Sequence, residues 1–243
     1  MEFQGEMVEK FKTARNVLVV TGSGISAESG VPTFRGEDGL WKRYRAEDLA
    51  TPYAFDSDPK LVWEWYDWRR QIIGKALPNP AHVTLVEMEE HYPQFLLVTQ
   101  NVDGLHRRAG SRNMVEIHGN IWRTRCMAEG NVSTLEENPL TKIPPLCSCG
   151  ALLRPDVVWF GESLPIEGLA RAEDACRECD ILLVVGTSGY VYPVASFPRV
   201  AKSAGATVVE VNVENTPISN CSDYTLLGKA SDVLPELWKV ATE

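Results

Sequence analysis

The stretch "NVLVVTGSG", residues 16–24, is an unbroken apolar run closed by two glycines. An apolar run of this length without polar alternation suits a strand buried on both faces, as in a parallel sheet. The same signature recurs in "FLLVTQN" (95–101), "ILLVVGTS" (181–188) and "ATVVEVN" (206–212), with "DYTLLGK" (223–229) a weaker member. Helical patterns over 7–14, 80–91, 165–178, 191–204 and 231–242 lie between the strands. That alternation predicts an α/β fold with a Rossmann-like, doubly wound parallel sheet. Two regions interrupt it: residues 36–78 are helical and rich in Trp and Tyr, and residues 120–155 are loop-like and hold three cysteines. They read as insertions that form a smaller lobe, one part helical and one resembling a degenerate zinc ribbon. Residues 1–35, 79–119 and 156–243 are left for the main Rossmann-like domain.

The 243 residues suffice for one α/β domain with an insertion, or two small domains. With 44% hydrophobic and 23% charged residues the composition is ordinary for a globular chain. A net charge of −9 argues against a broad basic footprint, so direct nucleic-acid binding is not expected. Any anion must then be met locally, by a few arginines or by backbone amides. No apolar run approaches the roughly 20 residues of a membrane span. The start "MEFQGEMVEKFKTARN" has no apolar h-region, so the expected address is the cytoplasm. Six cysteines in a reducing compartment argue against a disulfide framework. Cys176 and Cys179 have CxxC spacing, but they lie on a helix running into a strand and read as buried thiols.

Ligands of such sheets bind at the carboxyl ends of the strands. Gly22, Gly24 and Ala27 fit G-x-G-x-x-[G/A], where glycines let a backbone approach a pyrophosphate. A hydride-transferring dehydrogenase would show a second strand ending in an acid about 20 residues on. The loop "VPTFRGEDGLW" stands there instead, which weakens that architecture but leaves phosphate binding intact. Gln100, Asn101 and Asp103 close another strand, with Asp103 equally suited to capping the next helix. His118 in "EIHGN" reads, on residues alone, as a structural histidine, while His82, His91 and His106 suit surface or packing roles in helices. Cys126, Cys147 and Cys149, with Glu129 where a fourth cysteine might stand, could hold zinc; a ribbon held by packing alone fits about as well. In "EWYDWRR" (64–70), Tyr66 and Arg69 are three apart and share a helix face.

Taken together, "TGSGISAESGVPTFRGEDGLW", "TQNVDGLHRRAG", "EIHGN", "LLRPDVVWFGE", "GTSGYVYPVASFP" and "VEVNVENTP" resemble, in order and over nearly the whole chain, the sirtuin (Sir2) family of NAD-dependent protein deacylases. The resemblance reverses the reading of His118, which matches the family's catalytic histidine and would act with Asn101 and Asp103. It implies NAD as co-substrate, held between the main domain and the smaller lobe. Gly22, Ser23, Gly24, Ala27, Phe34 and Arg35 would line its phosphate and nicotinamide side. Gln100, Asn101, Val102, Asp103 and His118 would surround the nicotinamide ribose and carboxamide. Gly186, Thr187, Ser188, Asn212 and Glu214 would hold the adenosine half, with Lys229 and Ala230 near the adenine. The implied reaction transfers an acyl group from lysine to ADP-ribose and releases nicotinamide, with His118 as general base. Acylated-lysine proteins or peptides are the implied partners. They would lie as an added strand between Val158, Phe160, Gly161 and Glu162 on one side and Gly189 and Tyr190 on the other. The chain departs from the family pattern at Ser23, where many members have alanine, and by one missing cysteine in the metal module.

Within the family, "LATPYAF" and "WEWYDWRR" look like the class III branch, which removes succinyl, malonyl and glutaryl groups. Tyr66 and Arg69 match its Tyr-x-x-Arg pair, and Ala50 a small residue that leaves room for the longer acyl chain. A guanidinium can grip a terminal carboxylate bidentately and a phenol can add a third hydrogen bond. Arg70, Trp63 and Trp68 have no such match and read as packing and a solvated charge. Plain deacetylation is the competing activity, and NAD or ADP-ribose sensing without turnover the non-catalytic alternative.

Overall fold

The computed structural model describes residues 3–34, 39–40 and 45–243. The first half runs α1 (Gly5–Thr13), β1 (Asn16–Thr21), a 3₁₀ segment (Ser23–Ser29), α2 (Ala46–Leu49), α3 (Pro52–Ser57), α4 (Pro59–Lys75), α5 (Pro80–His91) and β2 (Gln94–Thr99). Then come α6 (Leu105–Ala109), β3 (Met114–Glu116), β4 (Gly119–Cys126), β5 (Val132–Thr134) and β6 (Leu153–Val157). The chain closes with α7 (Ile166–Glu178), β7 (Ile181–Val185), α8 (Phe197–Ser203), β8 (Thr207–Asn212), β9 (Tyr224–Leu227) and α9 (Ala230–Thr242).

The large sheet has six strands in the order β3-β2-β1-β7-β8-β9, and every pairing is parallel. Alternate residues of β1 feed two cores. Val17 and Val19 pack beneath α1, α5 and α9, while Leu18 and Val20 pack beneath α7 and α8. All four are at most 1% exposed, so the run is apolar on both faces because both faces are covered. Each such side chain contributes about 1.5–3 kcal/mol of burial. Chain order reverses at β1, whose neighbours are β2 and β7, and this is the switch point where a ligand crevice is expected.

A second, three-stranded antiparallel sheet has the order β5-β4-β6. It shares a core with α2, α3 and α4: Val62, Trp63, Tyr66 and Ile73 meet Ile121, Leu153, Val157 and Trp159. Part of 120–155, expected as loop, is therefore sheet, with the two longer strands hidden by charged residues that point out of a half-covered surface. The expected helix 191–204 begins only at Phe197, after a 3₁₀ turn at Val194–Ser196. Pro193 removes a backbone donor ahead of that turn.

Helix α4 starts at an Asp58 cap, whose carboxylate accepts from the Leu61 amide at 2.9 Å, followed by Pro59 at the first helical position. Its residues 62, 66, 69 and 73 follow helical spacing and are all buried. Trp63 packs in the core as expected. Arg70 is not a solvated charge. It is 0% exposed, and its guanidinium donates to the carbonyls of Ile121 (3.0 Å), Leu135 (2.7 Å) and Glu137 (2.6 Å). No helix among the described residues is long and apolar enough to cross a membrane.

Candidate active site

The carboxyl ends of β1, β2, β7 and β8 and the inner side of the α4 lobe enclose one cavity of about 980 Å³. Residues expected at the nucleotide meet along its sheet side: Gly22, Ser23, Gly24, Ala27, Phe34, Gln100, Asn101, Val102, Gly186, Thr187, Ser188, Asn212, Glu214 and Ala230. Arg35 lies outside the described residues. The segment after β1 is a 3₁₀ turn rather than an α-helix. Its glycines are required by a close backbone crossing. A Cβ on Gly22 would sit 2.7 Å from the Gly186 carbonyl oxygen, and one on Gly24 2.7 Å from the Gly186 Cα. Gly24 N–H donates to that carbonyl at 2.8 Å, so the β1 and β7 loops interlock, and Gly186 itself has φ +59°.

Three polar residues after β2 are fixed by different partners. Gln100 donates to Thr187 Oγ1 at 2.8 Å, tying the β2 loop to the β7 loop. Asn101 donates to the Gly22 carbonyl at 2.9 Å, leaving its carboxamide oxygen for a ligand. Asp103 is 4% exposed and does not line the cavity. Its carboxylate accepts from Ser26 Oγ (2.8 Å) and caps α6 through the Leu105 amide (2.8 Å). Burial pushes the Asp103 carboxyl up, against those two hydrogen bonds and the Arg69 charge.

His118 lines the cavity, half-buried, at the junction between β3 and β4. Its Nδ1 lies 3.1 Å from the Gln100 carbonyl oxygen. A carbonyl only accepts, so Nδ1 carries the proton and Nε2 keeps a free lone pair. Burial draws the imidazole below its ordinary value and so favours the neutral base, partly countered by the Gln100 bond.

Ala50, Tyr66 and Arg69 enter the same cavity from the lobe. Arg69 is 5% exposed, and its guanidinium stacks on the rings of Phe34 (4.6 Å) and Trp65 (4.9 Å). Among the described residues no carboxylate pairs with it and no acceptor meets the Tyr66 hydroxyl proton. Burial draws the Arg69 guanidinium down and raises the Tyr66 phenol, which keeps the phenol a donor. A buried pair of donors that meets no carboxylate among the described residues fits an acceptor-only group such as a carboxylate.

The peptide-side residues divide. Val158, Phe160, Gly161 and Glu162 line the cavity, but the Glu162 carboxylate is already paired with Arg154 (2.6 Å). Gly189 and Tyr190 do not line it, nor does Lys229; Val191 and Tyr192 do. Trp65, Trp159 and Ile166 also line it and were missed. Their only sequence signal is an apolar side chain near a motif, which core residues share. Away from the cavity, ligand atoms of Cys126, Glu129, Cys147 and Cys149 lie within 4.8 Å of one another. A zinc tetrahedron with Zn–S near 2.3 Å has edges of roughly 3.8 Å, so three thiolates and this carboxylate fit the ion. The tight Cys147–Cys149 spacing is accommodated by a turn in which Gly150 N–H donates to the Cys147 carbonyl at 2.9 Å.

A Sir2 family profile matches residues 22–193. The chain is 56% identical to an NAD-dependent protein deacylase of Aquifex aeolicus over 94% of this chain and 96% of that protein. It is 51% identical to one of Pyrococcus furiosus over 96% of each. Among solved structures it is similar to a Sir2 homologue in complex with NAD, with a TM-score of 0.93 and 44% identity over 99% of this chain and 94% of that one. It is also similar to a Sir2 complex with a p53 peptide and NAD+, with a TM-score of 0.89 and 30% identity over 98% of both.

Proposed function

The chain belongs to the Sir2 family and is an NAD-dependent protein deacylase, and on that footing we propose that it prefers lysine acyl groups ending in a carboxylate, succinyl and malonyl above all. The observation that carries the preference is the buried Arg69 guanidinium, which pairs with no carboxylate among the described residues, beside the Tyr66 hydroxyl in the cavity that also holds His118. A dicarboxylic acyl group brings the missing acceptor, while an acetyl group leaves both donors unpaired in a dry channel.

Bound NAD supplies an electrophilic ribose carbon and nicotinamide as leaving group for the acyl transfer. The chain's residues orient and deprotonate around it. Gln100 and Asn101 shape the nicotinamide-ribose end from β2, and the interlocked Gly22–Gly24 and Gly186–Ser188 loops offer backbone amides to the phosphates. Asn212 and Glu214 after β8, with Ala230 at the start of α9, take the adenosine half. His118 takes a ribose hydroxyl proton at Nε2 while Gln100 holds its tautomer. Asp103 acts from behind, holding Ser26 and the start of α6. The acyl-lysine peptide runs beside Val158 to Gly161, with Ala50 leaving space for the acyl chain. Cys126, Cys147, Cys149 and Glu129 would hold zinc, which would pin the ribbon formed by β4, β5 and β6 and take no part in the chemistry. The net charge of −9 favours protein substrates over nucleic acid.

Rates on acetyl-, malonyl- and succinyl-lysine peptides with NAD test this reading, together with the Arg69→Met variant. In that variant kcat/KM for the succinyl peptide should fall on the order of 100-fold, as charge-assisted hydrogen bonds worth about 3 kcal/mol are lost. The acetyl rate should change less than about twofold, since its acyl group never reaches Arg69. Succinyl activity no better than acetyl activity, and unchanged in Arg69→Met, would leave plain deacetylation as the activity.

A further inference from the structure

Tyr66 does not aim its own hydroxyl. The Trp159 indole N–H donates to Tyr66 Oη at 2.9 Å, and both side chains are nearly inaccessible, at 3% and 1% exposed. A phenol oxygen has one proton to give and lone pairs to receive with. Once the indole occupies a lone pair, the phenolic proton is turned away from it. No other described residue hydrogen-bonds the Tyr66 oxygen, so the indole alone sets that rotor.

Trp159 is itself held from several sides. Its ring lies under the Arg154 guanidinium, 3.6 Å from centroid to Cζ, and against Phe55 at 5.3 Å. Its backbone N–H donates to Glu162 Oε2 at 2.8 Å, and Glu162 in turn grips Arg154 with both oxygens, at 2.6 and 2.9 Å. Arg154 sits on β6 and also donates to the Val157 carbonyl at 2.9 Å. The Glu162 carboxylate is drawn below its usual range, largely by the Arg154 hydrogen bonds prevailing over burial. Glu162 therefore stays charged and its ion pair stays closed. The loop after β6, which lines the cavity, is thereby tied to the middle of α4.

We propose that Trp159 is a positioning residue for acyl specificity: its indole N–H orients the Tyr66 hydroxyl so that the phenolic proton is presented to the terminal carboxylate of the acyl group. This rests on the reading that Tyr66 and Arg69 receive that carboxylate. The Trp159 contribution is directional, because a hydroxyl free to rotate must lose its torsional freedom on binding. It belongs to substrate binding and leaves the chemistry at His118 untouched.

The test is a double-mutant cycle of Trp159→Phe and Tyr66→Phe, with KM and kcat measured separately on succinyl- and acetyl-lysine peptides. Trp159→Phe should raise KM about fivefold to tenfold more for the succinyl peptide than for the acetyl peptide, with the kcat ratio of the two peptides nearly unchanged. In the Tyr66→Phe background the same change should raise KM less than twofold, because the hydroxyl it orients is gone. Equal losses on both peptides, or full additivity of the two substitutions, would overturn the proposal by showing that Trp159 only packs. Should the smaller Phe side chain unsettle the lobe, 3-benzothienylalanine at position 159 removes the N–H at constant shape and must give the same pattern. Arg69→Met, run alongside, separates the two levels. If it abolishes succinyl preference while the position-159 variants do not alter it, only the Trp159 proposal falls. If it leaves the preference intact, the carboxylate reading falls and Trp159 with it.

Discussion

At the scale of single residues, His118 shows how a backbone contact sets chemistry. The Gln100 carbonyl fixes the proton on Nδ1, and burial outweighs that contact to draw the imidazole below 6.5. A general base works only when neutral, so a lowered value extends activity towards acid. The acid limb of kcat/KM should have its midpoint below pH 6.5, measured from pH 5 to 9 with a saturating peptide; a midpoint at or above 6.5 would contradict the role of burial. Little of this was legible in the sequence. A lone histidine in "EIHGN" carries no mark of catalysis by itself, and only its resemblance to a family pattern singled it out. Its partner Gln100 lies 18 residues away and reaches it because β2 and β3 run side by side.

Helix α4 is the element on which the specificity argument turns. The helical character of 36–78 and the shared face of Tyr66 and Arg69 were readable, and both residues do line the cavity. Arg70 was misread because helical spacing assigns a face but not what covers it. Here β4 and the segment around 135–137 close over it, bringing three carbonyls that accept from its guanidinium. The guanidinium also stacks on Trp122 at 4.9 Å, and burial draws it below its ordinary value without neutralising it. Arg70 thus joins the helical and antiparallel parts of the lobe. Arg70→Met should cost about 3 kcal/mol of unfolding free energy in urea, since it strands buried acceptors. A loss under about 1 kcal/mol would show that water replaces the guanidinium.

For the whole molecule, the central parallel strands were legible because their apolar runs need no partner to be recognised. The antiparallel sheet was not, because its strands alternate with charge and its pairing spans a long loop. The division into 1–35, 79–119 and 156–243 against 36–78 and 120–155 remains a proposal: two cores lie on the faces of the large sheet, but the lobe's core also takes in Val31, Val102, Leu105 and Trp159 from the main-domain segments. Strand β6 runs to Val157 and β4 starts at Gly119, so the lobe's sheet passes each boundary by a residue or two. Close to that seam lies a buried polar cluster joining several elements. His106 Nε2 is 3.0 Å from Thr21 Oγ1, His82 Nε2 is 3.4 Å from Ser26 Oγ, and the two imidazoles lie 4.7 Å apart. Burial draws His82 from 6.5 down to about 4 and draws His106 well below its ordinary value, with repulsion from His82 lowering it further. Each is neutral in the fold, whereas unfolding lets it take up a proton below pH 6.5. Folded protein thus binds fewer protons than unfolded, and stability falls as pH drops from 6.5 towards 4. His82 alone should account for about 2.5 kcal/mol of that loss by pH 4.5. Urea unfolding at pH 7 and pH 4.5 checks it against His82→Gln, which keeps a hydrogen-bonding side chain but cannot titrate. The variant should lose about 2.5 kcal/mol less than the parent over that interval, whatever the carboxylates add to both. An identical loss in the two proteins would show that His82 finds a way to protonate without unfolding the cluster.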